Sequence, residues 1–146
     1  MPHLRLDTAW SYPIEVKREL ARRFGEAYAE TMQTSPDIVD VTIRELVGGV
    51  WRCGNEPQPA AVLSCDIRRG RPAEQRAKLG AALFNVTQDV LGIDPLLFRV
   101  EFTQHAGDEI YAAIAIDGVV HTGLAPDWSP DEASTPLVEQ LREARR

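Results

Sequence analysis

The chain matches itself without a gap when it is shifted along its own length by 59 positions. Asp7 then falls on Asp66, Pro13 on Pro72, Glu15 on Glu74, Lys17 on Arg76, Leu20 on Leu79, Pro36 on Pro95 and Val41 on Val100. Apolar character is kept as well, between Leu4 and Leu63, Phe24 and Leu83, Met32 and Leu91, and Ile43 and Phe102. Each copy reads strand, helix, strand, so the repeat restricts the fold to one supersecondary unit used twice. The copies differ in two informative places. The first begins at Pro2, and the second carries the turn Arg68-Arg69-Gly70-Arg71.

Within the first unit, His3 to Asp7 reads as a short strand, and Pro13 opens a helix where its missing N–H costs nothing. Leu20, Phe24, Ala27 and Thr31 or Met32 recur at helical spacing, with Lys17, Arg18, Arg22, Arg23, Glu26 and Glu30 on the other faces. Pro36-Asp37 breaks the chain, and Ile38 to Leu46 alternates as a strand does. Gly48 to Asn55 is a glycine-rich excursion containing Trp51. In the second unit, Ala61 to Ile67 is apolar enough to read as a strand buried on both faces. A helix is expected from Pro72 to about Leu91 with the line Leu79, Leu83, Val86, Val90, and a strand from Leu97 to Gln104. Glu109 to Ile116 leads into Asp117-Gly118, a hairpin signal. Residues 1–125 are expected to form one domain (units 2–57 and 58–125), followed by a tail, 126–146, with a short helix starting near Ser129-Pro130-Asp131-Glu132.

A chain of 146 residues can bury a core without staples. The net charge of −6 argues against general nucleic-acid binding while leaving room for a local cationic pocket. No apolar run approaches the ~20 residues that span a bilayer, and no basic-then-apolar leader opens the chain, so a cytoplasmic protein without membrane attachment is expected. Cys53 and Cys65, without a CxxC pair or a nearby histidine cluster, read as idle thiols rather than a disulfide or zinc site. His3, His105 and His121 are scattered and read as surface or packing residues. No metal and no cofactor is expected.

Two β-α-β units in one sheet imply parallel pairs within each unit and right-handed crossovers. Both helices then cover one face of a four-stranded sheet. The other face, with no helix left to cover it, is expected to be apolar and to meet its like in an oligomer.

At this point the chain resembles the tautomerase superfamily. Ile67-Arg68-Arg69-Gly70-Arg71-Pro72-Ala73-Glu74-Gln75-Arg76 is similar to the strand-end motif of 4-oxalocrotonate tautomerase, and the spacing through Asp94-Pro95 to Phe98-Arg99-Val100 is kept. Met1-Pro2 matches the family's start before the initiator methionine is removed, and the glycine-rich stretch ending in Trp51 resembles an excursion that carries an aromatic pocket residue. The resemblance runs from residue 2 to about 117. With two fused units it is nearest the cis-3-chloroacrylic acid dehalogenase and malonate semialdehyde decarboxylase groups. It implies an α/β (α+β) fold of tandem β-α-β units with two helices on one face of the sheet, in a homotrimer.

The resemblance further implies catalysis by Pro2 as a secondary amine. An α-amino group titrates near ~8 and proline's starting value is higher. An apolar pocket and nearby cations both disfavour the ammonium and bring the neutral base into range. Arg68 and Arg71 would supply that charge and clamp a substrate carboxylate in a two-pronged way. Arg69 is the alternative to Arg68, because dehalogenases space their arginines three apart and decarboxylases two apart. Read alone, the cluster is a solvated turn at a helix start.

Other positions depart from the family's patterns. Tyr28 stands where cis-dehalogenases have a histidine, and Glu101 where they have a tyrosine. Their glutamate position falls near Tyr111 or Ala112, with Glu109 close by. The decarboxylase aspartate falls near Asp37 or Asp40, and Arg99 where tautomerases keep a second substrate arginine. The expected function is keto-enol tautomerisation of a small carboxylate. Catalytic residues are Pro2, Arg68, Arg71 and Glu109, and pocket members are Arg69, Tyr28, Trp51, Glu101 and Tyr111. Alternatives are hydrolytic dehalogenation or hydration of a cis-3-haloacrylate, β-keto acid decarboxylation, or a trimeric binding protein without activity. With Met1 in place the proline nitrogen is an amide, with neither a lone pair for base work nor a proton to give.

Overall fold

The repeat is visible in the backbone of the computed structural model, which describes residues 1–125. In chain order the elements are β1 (His3–Thr8), α1 (Ile14–Met32), β2 (Asp40–Glu45), β3 (Trp51–Arg52), β4 (Gln58–Pro59), β5 (Ala61–Arg68), α2 (Ala73–Leu91), β6 (Phe98–His105), β7 (Tyr111–Ile116) and β8 (Val119–Leu124). The two helices, and the 3-10 turns Pro36–Ile38 and Pro95–Leu97, stand 59 residues apart at both ends. The expected terminal helix and the rest of the 126–146 tail lie outside the described residues.

Each helix begins just after a proline held near φ −60°, whose carbonyl receives the first intrahelical bond: Lys17 N–H to Pro13 O at 3.2 Å, and Arg76 N–H to Pro72 O at 3.1 Å. Both helices end on a left-handed residue, Gln33 (φ 54°) and its repeat counterpart Gly92 (φ 63°). Glycine adopts that conformation without strain and glutamine does not. Leu20, Phe24, Tyr28 and Met32 form the buried line of α1, and Ala27, expected in that line, is partly buried against the same core. In α2 the line is Leu79, Leu83 and Val86. Thr87 is buried beside it with its hydroxyl donated back to Leu83 O at 2.9 Å.

The four main strands lie in the order β2-β1-β5-β6. Both outer pairs are parallel and the central pair, β1 with β5, is antiparallel. Alternation along these strands turns Leu4, Leu6, Leu63, Cys65 and Ile67 onto the helices, all at 0% exposure. Burial pushes the Cys65 thiol up to about 12.

The second face corrects the expectation of an apolar surface. His3, Arg5, Asp7, Asp40, Thr42, Arg44, Ser64, Asp66, Arg99, Glu101 and Thr103 share it by register. Arg44 and Arg5 both pair with Asp7, and Arg99 pairs with Glu101 at 2.8 Å. The Arg44 hydrogen bond, first among the causes, holds the Asp7 carboxyl below its usual range. β5 is accordingly not buried on both faces. Its residues Val62, Ser64 and Asp66 are half-buried.

At the end of the sheet where β1 finishes, Glu45 accepts the Tyr12 N–H (2.7 Å) and Lys17 Nζ (2.6 Å), tying the β1–α1 loop to β2. β7 and β8 pair only with each other among the described residues, around Asp117 (φ 51°) and Gly118 (φ 75°), as the hairpin signal predicts.

Candidate functional site

The opposite end of the sheet gathers the residues of interest. β1 starts there and its antiparallel neighbour β5 ends there, with His3 across from Asp66. Continuing that register by one and two residues sets Pro2 across from Ile67 and Met1 across from Arg68. Pro2 is buried, Met1 is half-buried, and the Pro2 carbonyl accepts the Asp40 N–H at 3.2 Å. Beneath this end of the sheet, Tyr28 (3% exposed) and Met32 (2%) lie in the buried line that closes α1.

Arg68 closes β5 and is 5% exposed. The chain then turns through Gly70 (φ 99°), a conformation that only glycine takes freely, before Arg71 and Pro72 lead into α2. The Arg69 N–H donates to His105 O at 2.8 Å, which extends the β5–β6 pairing by one bond and fixes the base of the turn. Gln75 Nε2 reaches Thr31 O at 3.4 Å, linking the start of α2 to the end of α1. Three arginines therefore cluster on one short segment beside the first residues of the chain, although the net charge is −6.

The remaining expected site residues are not all at this end. Glu109 lies in the 3-10 turn Gly107–Glu109, which follows β6 at the arginine end, and is exposed. Tyr111 opens β7 and is 68% exposed. Glu101 sits inside β6 on the polar face, opposite Ser64 and held by Arg99, and so is not at the strand end next to Pro2. Trp51 is paired with Pro59, next to the start of β5, at the far end of the sheet from Pro2. Its indole N–H donates to Gly48 O at 2.9 Å and the residue is 52% exposed. Asp37 and Asp40 are exposed, and Asp37 lies in the turn whose N-cap is Ser35.

Three residues at the arginine end were not singled out from the sequence as site members. His105, at the end of β6, sets Nδ1 3.1 Å from Asp66 Oδ1, and Thr103 Oγ1 donates to the same oxygen at 3.0 Å. The available signal is the repeat itself. Asp66 with Thr103 copies Asp7 with Arg44, both pairs being 37 residues apart.

No family model matches the sequence, and no curated protein matches it. Solved structures do. Pt0534, in a crystal structure inactivated by 2-oxo-3-pentynoate, is 22% identical with a TM-score of 0.68, over 84% of this chain and 95% of that one. A wild-type fused 4-OT, Q0, a symmetric trimer, is 17% identical with a TM-score of 0.67, over 91% and 99% of the two chains. The macrophage migration inhibitory factor of Toxoplasma gondii is 18% identical with a TM-score of 0.65, over 82% and 99%. At these identities the likeness establishes the architecture: an α+β fold of the tautomerase and migration-inhibitory-factor type, with two helices on one face of a four-stranded mixed sheet.

Proposed function

We propose that the chain is a homotrimeric enzyme of the tautomerase superfamily that moves a proton on a small keto or enol carboxylate, using Pro2 as acid and base. One observation carries this reading above the others: the antiparallel register of β1 with β5 brings the buried Pro2 to the strand end that bears Arg68, Arg69 and Arg71. Removal of Met1 turns the Pro2 amide into a secondary amine. Burial and guanidinium charge both disfavour its ammonium, so the neutral base is accessible at working pH. Arg71 and Arg68 bind the carboxylate and stabilise enolate charge as it develops. Tyr28 forms the inner wall.

Assembly completes the site in this reading. Hairpin residues Tyr111, Val119, Val120 and Leu124 are each more than half exposed. A lone two-stranded hairpin is marginal in water, so a neighbouring subunit covers it. Trp51, at the wrong end of its own chain, joins the Pro2 site of another copy. The trimeric state of the fused 4-OT structure supports this arrangement. A hydrolytic reading needs an acid held beside Pro2: Glu101 is held by Arg99 inside β6, which leaves Glu109, exposed on the turn after β6, as its candidate.

The test is the decay of the phenylpyruvate enol, followed for the wild type and for Pro2→Ala, with the intact mass of each preparation showing whether Met1 is gone. Loss of general acid-base catalysis lowers the rate by about 10²–10⁴-fold. Equal rates with Met1 removed from both would take Pro2 out of the mechanism. Chloride release from cis-3-chloroacrylate would instead favour dehalogenation.

A further inference from the structure

His105 is held in a way that a packing residue does not require. Its side chain is 9% exposed, and its Nε2 atom is buried with no hydrogen-bond partner among the described residues. Its other ring nitrogen meets Asp66 Oδ1 at 3.1 Å, and Thr103 donates to that same oxygen. A carboxylate can only accept, so Nδ1 is the donor, and in the neutral tautomer that this contact selects the lone pair is on Nε2. The ring is thus oriented by a carboxylate that is itself oriented, as a proton acceptor in a catalytic dyad is. A buried acceptor without a donor is unfavourable, and a ligand O–H that reaches it removes that penalty.

The surroundings indicate what such a ligand carries. His105 is the register partner of Arg68, and its carbonyl anchors the base of the arginine turn through Arg69 N–H. A carboxylate on that turn therefore has its neighbouring substituent beside the imidazole. Pro2 belongs to β1, two strand spacings from β6 and so about 10 Å away in backbone terms. One small molecule, with a hydrogen bond at each end, bridges that gap.

We propose that His105 Nε2, oriented by Asp66, accepts the O–H of a 2-hydroxy carboxylate or of the enol of a 2-keto acid. It is thereby a substrate-binding residue that reads the group next to the carboxylate. The carboxylate itself rests on the proposed function above. In ketonisation of such an enol, the O–H bond breaks as its proton passes to Nε2, and its electron pair becomes the C=O bond. The C=C pair takes a proton from the Pro2 ammonium, and exchange with water resets both groups.

Two equilibrium measurements on the full chain test this without turnover. Long-range ¹⁵N–¹H correlation of the imidazole is expected to show the Nδ1–H form, and the Nε2–H form overturns the proposal. Titration with glycolate and with acetate, which differ by one hydroxyl, is expected to favour glycolate about tenfold or more. His105→Phe is expected to abolish that preference. Should that variant fail to fold, Asp66→Asn, which keeps the ring and removes the obligate acceptor, is expected to weaken the preference. Equal binding of the two acids, or an undiminished preference in the folded variants, overturns this proposal alone. Absence of binding by either acid overturns the carboxylate reading along with it.

Discussion

Cys65 reports which way β5 faces, and the site depends on that. The thiol is 0% exposed beneath the helices, and burial raises it from 9.0 to about 12. A rise of that size leaves a roughly thousandfold smaller thiolate population, and the thiolate is the reacting species. Native protein is therefore expected to show one fast thiol, the exposed Cys53, with dithionitrobenzoate, and a second only on unfolding. The same shift couples folding to pH. Below about pH 9 both states hold the proton and the contribution is complete. Between 9 and 12 the unfolded chain loses its proton while the native state keeps it, and stability falls by roughly 1.4 kcal/mol per pH unit. Urea unfolding at pH 8 and pH 10 is expected to show wild type losing about 1 kcal/mol more than Cys65→Ala over that interval. The variant itself costs on the order of 1–2 kcal/mol at pH 8 from the space it leaves. Two thiols reacting equally fast in the native protein, or the same pH 8 to 10 loss in both proteins, would refute the inward placement. Asp66 and Arg68 would then turn toward the helices and the site as described would dissolve.

Gln33→Gly is expected to stabilise the chain by about 0.5–1 kcal/mol in urea or thermal melts, because it relieves a left-handed residue at the position where the second unit already has Gly92. Asp7 is held below its usual range by Arg44, so its contribution is present above about pH 4 and fades as pH falls through the lowered value. Asp7→Asn is expected to cost about 1–2 kcal/mol at pH 7 after screening, and to flatten the acid limb. No change on either count would remove the Arg5–Asp7–Arg44 cluster as a stabilising element. Arg71→Lys keeps the charge and loses the two-pronged geometry, so kcat/KM for a 2-keto acid is expected to fall about 10–100-fold. Wild-type kinetics in that variant would point to a solvated turn.

Much of the fold was legible because the repeat carries its own punctuation. Pro13 and Pro72, Pro36 and Pro95 mark the same boundaries in both units, and the helices start and stop at the same offset. The polar second face was hidden by composition. Ala61, Val62, Leu63 and Cys65 read as one apolar run, whereas Ser64 and Asp66 share a phase with Val62 and turn it toward Arg5 and Asp7. Tyr28 belongs to the buried line of α1 as well as to the expected pocket, and helical spacing alone pointed to its neighbour Ala27, which is only partly buried against the same core. Trp51 could be placed only from topology, since the end of the sheet it occupies is set by where β4 leads into β5. Asp66 and His105 are 39 residues apart and meet only through the parallel register of β5 with β6, which no local pattern announces.

The covalent fate of Pro2 is the most direct measurement. 2-Oxo-3-pentynoate, the compound that inactivates the similar protein Pt0534, carries a carboxylate for the arginines and an alkyne conjugated to a ketone. A neutral amine adds to that alkyne: a C–N bond forms, the alkyne π pair moves toward the ketone, and a proton completes the product without a leaving group. Mass spectrometry of the Met1-free protein is expected to find one adduct per chain on the Pro2 peptide, and slower labelling in Arg71→Ala. An unlabelled Pro2, or labelling spread over lysines at the same rate, would contradict a reactive imino nitrogen in a cationic pocket.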